Sequence, residues 1–431
     1  MSHRAWPASP IPGYLIQTDP LPGIGFSGAV IALSFMTEEE PIEDVYPEQL
    51  VAENVLEAVR LRLRRLTSPT LCGRIISARA PDLKPDLVMQ KGREVASSVR
   101  SALGYWQSEA ASLNAKVLTR YYALLQISIA EQVASPSSTS DLREIQSHTE
   151  GGHGLWTIEA PGQEFPAGYM VACRSRGHFY EYCRFKDIDL TPFASKARPD
   201  TFDELSVDAR QRLVSLADLF RRIPELQLLI EETLGTQPLS FRVGHAHQNM
   251  VDRSKRMHEH AMQTGQVLFD PPVPGPDVVT YVGIYPHGQK LSTEYLSSFG
   301  LPIKNIRPAE DKTTKWPYFV GDLTHPKGKY WWQCIDTYKS GYCGTSIIVP
   351  FWGQITDPFL IHFMTLYALS IVVRYLPLLW HEIEDGNLDH IRALIEHYLV
   401  IVDNVLPQIA IKRITGRRLI AVQPGSLQGP T

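Results

Sequence analysis

No stretch restricts the fold of this chain more than Asp357–His381, which reads DPFLIHFMTLYALSIVVRYLPLLWH. It is the most apolar segment of the protein, and it carries Arg374, Pro377 and His381. Apolar residues at this density specify a helix buried on most of its faces. A buried helix that keeps a guanidinium must give it partners, because an unpaired charge away from water is costly. The run Phe363–Val373, bracketed by His362 and Arg374, is about half the roughly 20 residues that a bilayer span needs. The segment therefore reads as a core helix, and no membrane is expected.

The composition agrees. Of 431 residues, 44% are hydrophobic and 20% charged, ordinary values for a globular protein long enough for more than one structural unit. The formal net charge of -4 supplies no global basic field for nucleic acid. Cys72, Cys173, Cys183, Cys334 and Cys343 are odd in number and form no C-x-x-C pair. That argues against a disulfide framework or a zinc ribbon and fits a reducing cytosol. The N-terminal residues MSHRAWP lack the apolar core of a signal peptide. A cytoplasmic protein is expected, with no cofactor.

Periodicity and breakers give the element order. One strand-like run, Ala29–Phe35, interrupts a Pro- and Gly-rich start, and Glu38 opens a helical region with Val51, Val55, Val59, Leu63 and Leu66 on one face. Residues 67–100 are mixed, with Pro69, Pro81 and Pro85 as breakers. A long helix is expected over Gln107–Val133, then strands at Leu155–Ile158, Tyr169–Arg174 and His178–Phe185. Helices follow at Val207–Phe220 and Glu225–Leu234, a strand at Phe241–His247 and a helix over 251–263. Val278–Ile284, Tyr330–Tyr338 and Thr345–Phe351 read as strands, Pro358–Ile383 and Leu388–Val405 as helices. Helices, a β-rich middle and helices again specify α+β rather than alternating βαβ. The expected units are an N-terminal extension (1–100), a predominantly helical α+β domain with a β-rich central region (101–420), and a disordered Gly/Pro/Ser-rich tail (421–431).

Several landmarks resemble the bacterial YaaC-like proteins: Tyr121-Tyr122-Ala-Leu-Leu, the His153-Gly154-Leu155 step, Arg222-Ile-Pro224-Glu-Leu226, and Leu369-Ser-Ile-Val-Val-Arg374-Tyr375-Leu-Pro377-Leu-Leu-Trp380, with Pro407 and Gly416-Arg417 beyond. The resemblance spans roughly residues 105–420. It implies a bacterial cytosolic protein and carries over no catalytic residues. It gives His153, Tyr375, Pro377 and Trp380 the standing of a structural motif.

Four constellations are candidates for chemistry. Arg374 and His381 have R-x6-H spacing, similar to the Arg/His signature of HEPN ribonucleases. A separation of seven is two helical turns, so both would share a face, although Pro377 lies between them. Arg would stabilise phosphate charge and His would move a proton. The plainer reading is an arginine held by a carboxylate or carbonyls and a surface histidine. His245 and His247 would point to one side of a strand and, with His258, hold a metal; the plainer reading is a polar surface. His153 before Gly154 would serve as acid–base group or ligand, or fix its turn. Arg174, Arg176, Tyr180 and Arg184 would offer RNA cations and a stacking ring on a hairpin; the plainer reading is a solvated, half-buried hairpin. No phosphate-loop, dinucleotide, zinc-protease or serine-hydrolase signature is present in the sequence. A large helical surface, no complete catalytic signature and an added N-terminal region lead to an interaction or regulatory subunit; the resemblance implies a bacterial cytosolic complex, with stress or phage defence as its setting. The partner would be a protein, with RNA or a second copy as alternatives. The competing expectation is a HEPN-like metal-independent ribonuclease.

Overall fold

The Asp357–His381 segment is two helices, not one. α12 spans Pro358–Tyr375 and α13 spans Pro377–Asp385; α1–α11 precede them and are placed below. Asp357 caps α12 by accepting from the Phe359 N–H at 2.9 Å, and Pro358 occupies the first turn. Every side chain from Phe359 to Ser370 is buried. Pro377 ends it: proline disfavours the helical region for the residue before it, and Leu376 sits at φ -123° and ψ 64°. Pro377 then starts α13 at a position where its missing N–H costs nothing. The continuous helix that would place Arg374 and His381 two turns apart is therefore absent.

The computed structural model describes residues 48–108, 112–137, 141–268, 275–286, 291–311, 314–353 and 355–424. The expected strand at Ala29–Phe35 and the helix start at Glu38 lie outside them. β1 (Glu48–Val51) leads into α1 (Val55–Arg64), α2 (Pro69–Arg79), α3 (Pro85–Gln107), α4 (Leu113–Ala134) and α5 (Leu142–Glu150). Two of the expected breakers start helices: Pro69 and Pro85 lie in the first turns of α2 and α3. β2 (Leu155–Glu159) and β3 (Tyr169–Cys173) pair antiparallel. The expected third strand is a helix, α6 (His178–Phe185). Its buried residues Phe179, Tyr182 and Cys183 stand at i, i+3 and i+4, the helical period. The expected helix at Val207–Phe220 is split into α7 (Val207–Gln211), β4 (Val214–Ser215), which adds to β3, and α8 (Leu216–Phe220). α9 (Gln227–Leu234) follows a 3-10 turn.

Residues 240–348 build a second, six-stranded sheet. β5 (Ser240–His245) is followed by α10 (His247–Thr264), β6 (Asp277–Tyr285), α11 (Thr293–Ser297), β7 (Lys304–Glu310), β8 (Pro317–Pro326), β9 (Tyr338–Ser340) and β10 (Gly344–Ile348). The order across the sheet is β7-β8-β6-β5-β10-β9, and all pairings are antiparallel. Tyr330–Tyr338 is not one strand: Trp331–Gln333 forms a 3-10 turn, closed by the Gln333 side chain accepting from the Tyr330 N–H. α14 (Asp389–Thr415) and β11 (Leu419–Val422) finish the fold, and β11 pairs parallel with β1.

Two cores result. The larger joins α1–α4, α6, the β2–β3 sheet and α12–α14. The smaller, with Phe241, Val282, Ile284, Leu323 and Trp331, belongs to the six-stranded sheet. Arg222, one of the family landmarks, ties them together: Nε donates to the Val349 carbonyl and Nη1 to the Asp218 carbonyl, both at 2.9 Å. α1, α2 and α3, which fall largely within the expected N-terminal extension, share the larger core with α12. The expected tail overlaps β11 at residues 421–422, and residues 425–431 lie outside the described ones. α12 and α14 are long and apolar enough to cross a membrane, yet 72% and 67% of their apolar windows are buried inside the fold. Both are core helices. With just over half of the described residues helical and less than a fifth in strands, the architecture is α+β and mostly helical.

Candidate functional site

The site is assembled where two loops cross. The His153 loop precedes β2, and the Arg174–Gly177 turn joins β3 to α6. They bond through the backbone: Arg174 N–H to the Gly154 carbonyl, His178 N–H to Gly152 and Phe179 N–H to His153, at 2.9 to 3.0 Å. Only glycine fits at the crossing. A Cβ on Gly154 would lie 2.8 Å from the Phe179 nitrogen, and one on Gly177 2.6 Å from the Gly152 oxygen. Both also hold positive φ, 80° and 100°. This is the structural role of the His153-Gly154 step. It fixes the imidazole against α4 and α12.

His153 Nδ1 lies 2.8 Å from the Tyr121 hydroxyl. Tyr121 is fully buried, and among the described residues its hydroxyl has no other hydrogen-bond partner. The hydroxyl therefore donates to Nδ1, which leaves the ring proton on Nε2. Burial, and then the neighbouring Arg374, push the His153 pKa down, so the ring is neutral. Burial holds the Tyr121 hydroxyl well above its ordinary range. Tyr367 completes a ring cluster, with centroids 6.0 Å from Tyr121 and 5.8 Å from His153. Its hydroxyl donates to the Leu155 carbonyl at 2.8 Å.

Three arginines act on this cluster. Burial raises Tyr367 to about 12, and Arg198, Arg374 and Arg174 all pull against that rise. Arg374 is half-buried on the last turn of α12, two turns from Tyr367 and so on the same face. Its Nε donates to the Ser370 carbonyl at 3.0 Å and its Nη2 to Ser370 Oγ at 3.2 Å. Its guanidinium carbon lies 5.1 Å from the centre of the Tyr375 ring. Arg174 is half-buried, and its Nε is shut off from solvent without a partner. Arg198 is exposed, just beyond Ser195, whose carbonyl accepts from the Ser175 N–H. Among the described residues no carboxylate hydrogen-bonds or ion-pairs with any of the three. Glu159 and Arg198 act in opposite directions on the nearby Tyr169 hydroxyl. Uncompensated guanidinium groups beside an imidazole N–H are suited to an anion, above all to phosphate or carboxylate oxygens.

Elsewhere in the fold, buried charges form ion-pair networks. Arg120 grips Asp403 with Nε at 2.7 Å and Nη2 at 3.1 Å. Glu131 accepts from Tyr182, from Lys186 at 2.9 Å and from Arg413 at 3.1 Å, and Arg413 also holds Asp357. These networks hold helices together.

The expected constellations fare differently. His381 is exposed on α13, and the helix break removes the shared face on which its pairing with Arg374 rested. His245 ends β5 whereas His247 begins α10, so they do not alternate along one strand. His245 Nε2 instead accepts from Trp331 Nε1 at 3.1 Å. His258 lies farther along α10, and among the described residues no three His, Cys, Asp or Glu side chains gather as a metal site. The hairpin that was to carry Arg174, Arg176, Tyr180 and Arg184 is a strand, a turn and a helix. Arg184 pairs with Glu181 at 2.9 Å, and Tyr180 lies 3.3 Å from Thr191. Arg176 is exposed on the turn, and only Arg174 joins the site. Of the family landmarks, Trp380 is structural: it is buried and donates to Asn114 at 2.7 Å. Pro377 sets the break. Tyr375 is not packed, since it is 64% exposed. Sequence reasoning missed Tyr367, Ser370 and Arg198. The first two were within reach, standing at i−7 and i−4 from Arg374.

No curated protein and no solved structure matches the chain. The family model described as YaaC-like protein matches residues 79–414, beginning earlier than the expected residue 105 and taking in the end of α2 and all of α3. It includes Tyr121, His153, Arg222 and Arg374, and the chain belongs to the YaaC-like family.

Proposed function

We propose that this chain is a non-enzymatic regulatory protein that recognises a phosphate-bearing anion at the Arg374 site and works as an interaction subunit of a bacterial cytosolic complex. The observation that carries this reading is the trio Arg174, Arg198 and Arg374 around Tyr367 without an acidic partner among the described residues. The tautomer of His153 supports binding over proton abstraction, because Tyr121 occupies Nδ1 and Nε2 is a donor. Leu378, 83% exposed, and Tyr375 stand beside the site and suit contact with a protein partner. Stress or phage defence is the setting we assign to the complex, and the bacterial cytosol its location. Pull-down of the native protein from its host tests the reading. A partner recovered with wild type and lost with Arg374→Gln is expected, and a chain recovered alone contradicts it.

A second reading keeps one observation in its favour: Arg374 does stand beside an imidazole, that of His153. A metal-independent ribonuclease would use Arg374 on the scissile phosphate and a histidine for proton transfer. Purified protein is expected to leave RNA intact in EDTA. If RNA is cut, and His153→Ala or His381→Ala abolishes the cutting, the ribonuclease reading replaces the regulatory one.

A further inference from the structure

We propose that the Arg374 site is a nucleotide site, in which Arg174, Arg198 and Arg374 hold the phosphate of a nucleoside monophosphate and the free face of Tyr375 stacks its base. The inference rests on the anion reading above and adds the ligand class. A phosphate alone explains the arginines but not Tyr375. That ring is 64% exposed at the end of an otherwise buried helix. One face meets the Arg374 guanidinium at 5.1 Å. The Tyr367 hydroxyl, whose pKa Tyr375 and all three arginines influence, bonds to the Leu155 carbonyl next to Gly154, where the Arg174 N–H is held, and Ser175 is bonded to Ser195, three residues before Arg198. Aromatic ring and guanidinium groups thus belong to the segments that meet at one backbone crossing, and Arg374 joins the two features. Bases stack on exposed aromatic rings whatever their identity, and an arginine on the ring's other side reinforces the contact. His153 contributes a single donor, Nε2–H, which suits a phosphate oxygen or a ribose hydroxyl. Tyr375 also needs no role in the core to account for its place in the sequence.

The test uses the full chain and titration calorimetry with AMP, GMP, CMP, UMP, ribose 5-phosphate and adenosine. At least one nucleotide is expected to bind about tenfold or more tighter than ribose 5-phosphate. Tyr375→Ala should remove that advantage and leave ribose 5-phosphate binding unchanged. Tyr375→Phe should keep it, because stacking needs the ring and not the hydroxyl. Arg374→Gln should weaken nucleotide and ribose 5-phosphate alike. Equal binding of nucleotides and ribose 5-phosphate, or an advantage that survives Tyr375→Ala, overturns the nucleotide inference and leaves the anion reading standing. Adenosine binding as tightly as AMP, or no binding by any phosphate compound, overturns both. A short RNA that outcompetes every mononucleotide by tenfold or more overturns the mononucleotide in favour of a polymer.

Discussion

Arg374 shows what a charged side chain gains from the end of a buried helix. Its backbone belongs to α12, yet its guanidinium reaches past the core to a half-buried position beside His153. Its hydrogen bonds go only four residues back, to Ser370. Arg222 is instead matched by the carbonyls of Val349 and Asp218, and Arg120 by a carboxylate on another helix. Removing such a matched charge typically costs about 3–5 kcal/mol, because the other charge is left buried and unpaired. Arg374 leaves no such partner behind. Arg374→Gln is therefore expected to change stability without ligand by less than about 0.5 kcal/mol, the range of substitutions that break no network. Urea denaturation of the two proteins checks this.

At the scale of elements, the crossing of the His153 loop with the start of α6 places the site. Gly154→Ala and Gly177→Ala each force a Cβ into backbone atoms at positive φ. Each is expected to cost about 1–3 kcal/mol, read as a lower urea midpoint, with phosphate binding weakened because His153 and Arg174 lose their common frame. An unchanged midpoint would mean the crossing is looser than described. Element order was largely legible in the sequence, since long amphipathic and all-apolar runs declare helices: α4, α12 and α14 were all expected as helical, but α4 starts at Leu113 rather than Gln107, α12 ends before Pro377, and α14 runs to Thr415 rather than Val405. Local rules with two readings were harder. Pro69 and Pro85 look like breakers until the residues after them are seen to be helical. Pro377 reads as a kink within one helix, and in the fold it is a full stop and restart. The 178–185 run alternates loosely, and its helical i, i+3, i+4 pattern is buried only because α6 packs under α4 and α12. Of the site, Arg374 and His153 were visible as oddities. Their meeting with Tyr121, Arg174 and Arg198 was not, because tertiary contact between distant segments leaves no mark in spacing.

Across the whole molecule, burial of neutral histidines links stability to pH. His178 donates from Nε2 to Ser128, whose own hydroxyl bonds to the Leu125 carbonyl. His362 lies against Tyr398, with ring centroids 5.6 Å apart. Burial pushes both down to about 3, well below the unfolded value of about 6.5. The unfolded chain thus takes up protons that the folded chain refuses. Stability is full above about pH 6.5 and falls as pH drops from there toward 3, by about 1.4 kcal/mol per pH unit for each histidine. Urea midpoints should fall between about pH 7 and about pH 5, and a flat profile would contradict the buried, neutral assignment. Ligand linkage acts on the same global transition. A ligand that binds only the folded state raises stability with its concentration. The central claim, that three arginines stand unmatched because they receive an anion, is tested most directly by the unfolding midpoint against phosphate concentration, with chloride at equal ionic strength as control. The account predicts a midpoint that climbs with phosphate in wild type and stays level in Arg374→Gln. Equal behaviour in phosphate and chloride, or an equal climb in both proteins, would contradict it.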